Sequence, residues 1–227
     1  MSPLGRPRLH LRSIGSTNAR ARELAEAGAP HGTAVTAGEQ TAGRGRQGRG
    51  WSTPPGSALA LSLVTRDPDP LLSLRAGLAV ADLAGASARV KWPNDVLVDG
   101  RKVAGVLVEG RPQQGWAVLG IGVNAALDLA ALPEEVRGRA GTLGLQPREL
   151  PRALDELLAA LETRLAEPPE ATLAALRERD ALAGRPVRWA GGEGIGAGIA
   201  GDGALLVRDA GGAVHAVSTG EVHLGLA

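Results

Sequence analysis

The spacing of apolar and polar positions divides the chain into elements whose period switches between two and about 3.6 residues. Arg8 to Arg12 alternates as a short strand, and Asn18 to Ala27, rich in Ala, Leu, Glu and Arg, predicts a helix that stops at Gly28. Thr33 to Ala37 is a short β-like segment. After a glycine-rich stretch, Ser57 to Thr65 reads as a strand and Leu71 to Ala84 as a helix ending near Gly85. Arg89 to Trp92, Asp95 to Val98 and Arg101 to Glu109 have β character, and Asp99-Gly100 between the last two accepts positive φ, which predicts a two-residue hairpin turn. Trp116 to Val123 is a further strand. Helices follow over Leu150 to Ala166 and Ala171 to Ala183, separated by Pro168-Pro169. Beyond Gly184 the apolar runs are short and cut by glycine: Val187 to Ala190, Gly198 to Ala200, Ala204 to Val207 and Ala213 to Val217.

This order predicts an α+β fold, a mixed or mostly antiparallel sheet with flanking helices over residues 1–183. Residues 184–227 would form a small β-barrel unit of ~40 residues, too small to be expected to fold alone. A length of 227 residues suits one compact domain, or a main domain with such an appendix. Phe and Tyr are absent, so the core must be Ala, Leu and Val, and any aromatic role falls to four tryptophans. With no cysteine, disulfides, thiolate nucleophiles and Cys-based metal sites are excluded together. No run has the character of a signal peptide or a membrane span, so the expectation is a cytoplasmic protein with no membrane partner. The formal net charge is +1, so any basic site should be local rather than a whole face.

The local site is AGRGRQGRGW, Ala42 to Trp51. Gly43, Gly45 and Gly48 formally match the dinucleotide fingerprint, but Trp51-Ser-Thr-Pro-Pro-Gly56 cannot begin the helix that the fingerprint requires. Gly120-Ile-Gly122-Val-Asn-Ala125 follows a strand, yet Pro133 to Gly144 offers no next hydrophobic strand with an acidic end. No Gly-Lys-Ser or Gly-Lys-Thr occurs, which excludes a P-loop. A disordered Arg-Gly segment binding RNA is the non-enzymatic alternative, though one unit between two apolar segments favours a structured loop around a single anion. In such a loop the glycines let backbone N–H groups approach the anion, and Arg44, Arg46 and Arg49 supply planar donor forks. Trp51 reads as an anchor at the loop's end.

GRGRQGRGW (Gly43 to Trp51), KWPND (Lys91 to Asp95), KVAGVLVE (Lys102 to Glu109) and GIGVN (Gly120 to Asn124), with Ser16-Thr17-Asn18 ahead of the first helix, resemble in order the signatures of the biotin–[acetyl-CoA carboxylase] ligases. Ser218-Thr219-Gly220-Glu221 agrees more loosely. The resemblance implies a catalytic domain similar to class II aminoacyl-tRNA synthetases and an SH3-like C-terminal barrel. It also implies a two-step reaction in which biotin and ATP, with Mg2+, give biotinyl-5′-AMP. A lysine of a biotin carboxyl carrier domain then takes the biotinyl group. By the same resemblance Ser16, Thr17, Asn18 and Gln40 would hydrogen-bond the biotin head, and Arg44, Gly45, Arg46 and Lys102 would surround its carboxylate and the α-phosphate. Gly105 and Gly122 would leave room for ligand. Arg46, Arg49, Trp51, Lys91, Asn94, Lys102 and Asn124 would face the nucleotide, Asn124 on the magnesium-triphosphate side. Asp95, with Arg44, Arg46 and Lys102, would be catalytic, its role open between magnesium and the incoming lysine.

Blander readings stand beside these: a helix cap for Ser16 or Thr17, a turn for Pro93-Asn94-Asp95, a surface charge for Lys102. No motif places Trp116 or Trp189 against adenine, and Gly225 stands where larger family members carry a basic residue. The first site motif falls at Ser16, which leaves no room for a winged helix-turn-helix and implies a ligase that binds no DNA and represses no operator. A lipoate or octanoate ligase is the enzymatic alternative, but no Arg-Arg-x-Ser-Gly-Gly-Gly-like segment is present. Exposed edge strands would allow a homodimer.

Overall fold

The structure, a computed structural model, describes residues 3–51 and 54–224, except the side chains of Arg111 and Pro112. β1 (Arg8–Leu11), β2 (Ala34–Ala37), β3 (Leu59–Arg66), β4 (Arg89–Lys91), β5 (Asp95–Val98), β6 (Arg101–Arg111) and β7 (Trp116–Val123) form one sheet in the order β1-β2-β3-β7-β6-β5-β4. Only β1 and β2 run parallel; every other pair is antiparallel, so the sheet is mixed as the pattern predicted. Asp99 and Gly100 close the β5–β6 hairpin with φ of 51° and 74°, both in the left-handed region that this turn demands.

Both faces of the sheet are covered, which is why its central strands read as nearly continuous apolar runs. On one face Val64 of β3 and Trp116 and Val118 of β7 pack against Ala21 and Ala25 of α1 (Thr17–Glu26). On the other, Leu61, Leu63, Leu119 and Ile121 meet α2 (Leu72–Ala84) in a core that includes Leu157 and Leu161 of α4 (Leu150–Ala166) and Leu173 and Leu176 of α5 (Pro169–Arg179). Fully burying each such leucine contributes ~2 kcal/mol. Arg75 of α2 is only 3% exposed, and it donates to the carbonyls of Arg164 and Glu167 at 2.8 and 2.6 Å. Its charge thereby satisfies the carbonyl end of α4. The one helix between β7 and α4 is the short α3 (Glu134–Arg137); the preceding Leu129–Ala131 is a single 3-10 turn.

The C-terminal residues form a second sheet, antiparallel throughout, in the order β11-β10-β9-β8-β12: β8 (Pro186–Trp189), β9 (Gly192–Ile199), β10 (Leu205–Arg208), β11 (Val214–Val217) and β12 (His223–Leu224). Among the described residues β11 and β12 do not pair, so the sheet is open where a closed barrel was expected. Val187, Ile199, Leu205, Val207 and Val217 of this sheet belong to the same apolar cluster as α2. Trp92 Nε1 also donates to the Gly203 carbonyl at 2.9 Å.

β9 was foreseen only at its end. Its sequence, Gly-Glu-Gly-Ile-Gly-Ala-Gly-Ile, reads as a loop. Gly194 and Gly196 are there for room, since added Cβ atoms would lie 2.4 Å from the Arg208 oxygen and 2.1 Å from the Leu182 oxygen. α5 begins two residues earlier than expected, with Pro169 in its first turn, and ends at Arg179. The chain leaves it at Asp180, whose Oδ1 accepts from the Leu182 amide at 2.8 Å.

Burial pushes the Asp180 carboxyl above the ordinary carboxylate range, against the backbone amides of Leu182 and Ala183. A raised folded-state pKa means that the folded chain holds the proton more tightly than the unfolded chain, so the cost is absent at low pH and grows as pH rises through the folded value. Asp180→Asn, which keeps the acceptor for Leu182, should therefore raise the urea midpoint at pH 7, and the difference should vanish only below the ordinary aspartate range, at about pH 3.

Candidate active site

A cleft with about 380 Å³ of atom-free space opens on the α1 face of the large sheet, between the N-terminus of α1, the 43–51 loop and strands β6 and β7. Its closed end is neutral and polar. Ser16 caps α1, its Oγ accepting from the Ala19 amide at 3.4 Å. Thr17 donates its amide and its hydroxyl to Gln40 Oε1 at 2.9 and 3.0 Å, which ties the start of the helix to the strand-to-loop segment after β2. Ser62 Oγ, on β3, lies 2.8 Å from Thr17 Oγ1 and 2.6 Å from Asn18 Oδ1. Asn18 Nδ2 donates to Glu109 Oε2 at 2.8 Å. The Asn18 amide rests on the backbone of Gly120, where a Cβ would come within 2.1 Å of its Oδ1.

The open end is aromatic and cationic. Trp51 lies over Gly122, where a Cβ would sit 2.5 Å from its ring, and touches the space above Gly105. Lys102 Nζ reaches the same spot, 3.2 Å from where a Gly105 Cβ would be and 5.5 Å from the Trp51 ring centre. Residues three apart on a regular strand face opposite sides, so this meeting needs a cause. The register between β5 and β6 supplies it: Val96 faces Ala104 but Leu97 faces Lys102, so Val103 is an extra residue, a bulge that turns Lys102 onto the cleft side. There its ammonium pairs with Asp95 Oδ1 at 2.6 Å and lies over the indole, a cation–π contact of ordinary length.

The arginine loop is folded. Gly45 donates to the Arg49 carbonyl at 2.7 Å and Trp51 to the Gly43 carbonyl at 2.9 Å, with Gln47 and Gly48 at positive φ in the turn between. Its three guanidiniums are divided. Arg44 lines the cleft. Arg46 donates to Asn94 Oδ1 at 3.0 Å and to the Gly220 carbonyl at 2.8 Å, and Arg49 pairs with Glu221. Asn94 in turn donates to the Val106 carbonyl at 3.0 Å, so the loop is clasped between the KWPND turn and the C-terminal segment. Lys91, paired across the sheet with Asp95, has its ammonium pKa lowered, mainly by burial and further by Lys102 and Arg49, while Asp95 and Glu221 oppose the shift.

The sequence profile of the biotin/lipoate A/B protein ligases matches residues 11–125, a stretch that runs through every element of the cleft. The chain belongs to that family. A biotin–[acetyl-CoA-carboxylase] ligase of Mycobacterium tuberculosis is 39% identical over 233 residues, taking in 92% of this chain and 85% of that protein. The bifunctional ligase/repressor BirA of Bacillus spizizenii is 38% identical over 142 residues, 57% of this chain and 44% of its own, so the match spans less than half of that relative. Among solved structures, a biotin protein ligase from Aquifex aeolicus in complex with biotin and ATP superposes with a TM-score of 0.81 at 27% identity, covering 97% of this chain and all of that one.

Within this ligase fold, some singled-out residues stand outside the cleft. Asn124 is buried, and its Nδ2 donates to the carbonyls of Gly141 and Lys102 at 3.0 and 3.4 Å, fastening the 139–145 segment beneath Lys102. Trp116 is buried against α1, and Trp189 tilts against His215 at 5.7 Å in the small sheet, so neither lines the cleft. Gly225 lies outside the described residues. Sequence reasoning missed Ser62, Glu109 and Gly120 as parts of this site. A lone serine in the apolar run Leu59 to Val64 was the available signal for Ser62. A larger recess of about 850 Å³ between α2, the 142–145 segment and α4 gathers none of the candidate site residues.

Because Trp51 occupies the space above Gly122, Gly122→Ala should push the indole and the loop off the sheet, at an overpacking cost of ~1–3 kcal/mol. Limited trypsin digestion should then cut at Arg44, Arg46 or Arg49 several-fold faster than in the parent protein.

Proposed function

We propose that this chain is an ATP-dependent biotin ligase that makes biotinyl-5′-AMP and passes the biotinyl group to a lysine of the biotin carboxyl carrier domain of acetyl-CoA carboxylase. One observation carries the reading: the cleft is neutral and hydrogen-bonding at its closed end and cationic at its mouth, where Arg44 and Lys102 stand. That polarity suits an acid with a polar, uncharged head. The relatives named as biotin ligases support the choice of acid.

In the first step a biotin carboxylate oxygen bonds to the α-phosphorus of ATP, the α–β bridging bond breaks and pyrophosphate leaves. The two anions repel by roughly 4 kcal/mol at ~4 Å in a partly screened site. Lys102 and Arg44 oppose this repulsion, acting most strongly where charge builds up in the transition state. Asp95 holds Lys102 in place beforehand, and the Trp51 face keeps water from its far side. In the second step the carrier's lysine amine attacks the acyl carbon, AMP leaves and one proton is lost. No protein nucleophile takes part. Ser16, Thr17, Asn18 and Gln40 would hold the head group, with Gly45 and Gly105 beside the chain, while Arg46, Arg49, Lys91 and Asn94 frame the nucleotide side and Asn124 supports Lys102 from behind. By the resemblance to the biotin ligases, Mg2+ is read as arriving on the triphosphate.

The division into a catalytic unit, 1–183, and an SH3-like unit, 184–227, belongs to the same reading, as do a cytoplasmic location and a homodimer through edge strands. No helix among the described residues is long and apolar enough to cross a membrane.

The test is pyrophosphate–ATP exchange with biotin or lipoate, followed by mass analysis of a carrier domain. Exchange that requires biotin, with lipoate at background, is the expected result; exchange driven by lipoate alone would overturn it. Lys102→Met should lower kcat ~10²–10³-fold. Arg46→Gly, which unclasps the loop from Asn94 and Gly220, should release free biotinyl-AMP and label bystander lysines.

A further inference from the structure

Asn18 could present either end of its amide to a ligand, and what decides the matter lies outside the cleft proper. Its Nδ2 faces Glu109 Oε2 at 2.8 Å and, in a long contact of 3.5 Å, the Leu107 carbonyl. Its Oδ1 lies 2.6 Å from the Ser62 hydroxyl. A carboxylate can only accept, so the amide must turn its NH2 towards Glu109 and its oxygen towards Ser62. Both N–H groups then point away from the ligand, and the hydrogen-bonding capacity left to Asn18 is the second lone pair of Oδ1. Glu109 is itself held: Arg22, one turn along α1, approaches its other oxygen at 3.7 Å. Both groups are partly buried, with side chains 38% and 29% exposed. Glu109, Leu107, Ser62 and Gly120 share one face of the sheet, because Leu107 pairs with Gly120 and Gly120 with Ser62. The carboxylate therefore reaches Asn18 along the sheet surface, two residues from the cleft floor.

We propose that Glu109 is a positioning residue that sets the polarity of the closed end of the cleft, by orienting the Asn18 amide so that it accepts hydrogen bonds from ligand N–H groups. This rests on the biotin-ligase reading, since biotin's cyclic urea carries such N–H groups and a simple fatty or dithiolane acid does not. The lock selects for a ureido head through a side chain that never touches it.

The exchange reaction of the full chain is measured with biotin and with biotin methylated on a ureido nitrogen. Glu109→Gln has the same shape but lets the amide turn either way. It should raise KM for biotin about tenfold, the scale of one displaced hydrogen bond, with kcat within about twofold. The preference for biotin over the methylated acid should shrink by a similar factor. Asn18→Asp alone sets two carboxylates together and should be at least as impaired. The exchanged pair Asn18→Asp with Glu109→Gln restores a donor facing an acceptor and keeps an oxygen towards the ligand, so its KM should return to within about threefold of the parent. An unchanged KM in Glu109→Gln overturns the proposal. So does a fall in kcat matching the rise in KM, which would mean that β6 is merely distorted, or a double variant no better than its parents. Failure of the parent protein to use biotin would instead overturn the reading on which the lock rests.

Discussion

A bare patch of backbone governs this site. Gly105 on β6 and Gly120 and Gly122 on β7 present no side chain to one face of the sheet, and each gap is filled by a group brought from elsewhere: Lys102 and Trp51 over Gly105 and Gly122, Asn18 over Gly120. A methyl group at Gly120 or Gly122 would collide with these groups at 2.1 and 2.5 Å, too close for any rotamer change to relieve cheaply. The helix start, the loop anchor and the cleft lysine can share one floor because the sheet there has no relief. The rest of the fold keeps that floor flat and supported, with α2, α4 and α5 packed behind it.

On this floor the charges are arranged in layers. The closed end holds hydroxyls and amides bonded largely among themselves, with the Glu109 carboxylate turned to the Asn18 NH2, so it gains little from a charged visitor. The mouth holds cations with partners that can be exchanged. Lys102 is paired with Asp95 and stacked on Trp51, and Arg46 donates to neutral oxygens. The Asn94 and Gly220 oxygens orient Arg46 without cancelling its charge, whereas Asp95 offsets that of Lys102. Arg49, like Lys102, is paired with a carboxylate, Glu221; its own side chain is well exposed, so the contact is worth little net energy in water but is enough to fix where the loop lies.

Much of this was legible in the sequence because period-two and period-3.6 patterns survive in the central strands and long helices. The Asp99-Gly100 turn is visible for the same kind of reason: its backbone angles allow few other residues. Two features were not legible. The bulge at Val103 changes no residue's character, yet it decides whether Lys102 faces the cleft or the opposite side. β9 was hidden because its glycines are chosen for the neighbours' backbone, not for their own conformation. In the site, motifs named residues in isolation, whereas Ser62 and Glu109 acquire meaning only through the strand pairing that sets them beside Asn18. Asn124 shows the converse, a motif residue whose amide holds a supporting segment rather than the cleft.

The formal net charge of +1 suggested that any anion site must be local, and in the structure a nearly neutral chain does gather cations in one place. Arg49, Lys91 and Lys102 gather around Asp95 and Glu221, with Arg46 on the adjacent Asn94 and Gly220 oxygens and Arg44 at the cleft wall. Five cations thus meet two carboxylates, so the remainder of the chain carries a slight negative excess. Lys91 registers the crowding: burial and two cationic neighbours lower its hold on its proton, and two carboxylates only partly restore it. Burial accounts for most of the depression, and an arriving triphosphate would add a further anion that favours the charged ammonium. Its binding would therefore draw on local charge, and a long-range field over the whole surface would be unnecessary.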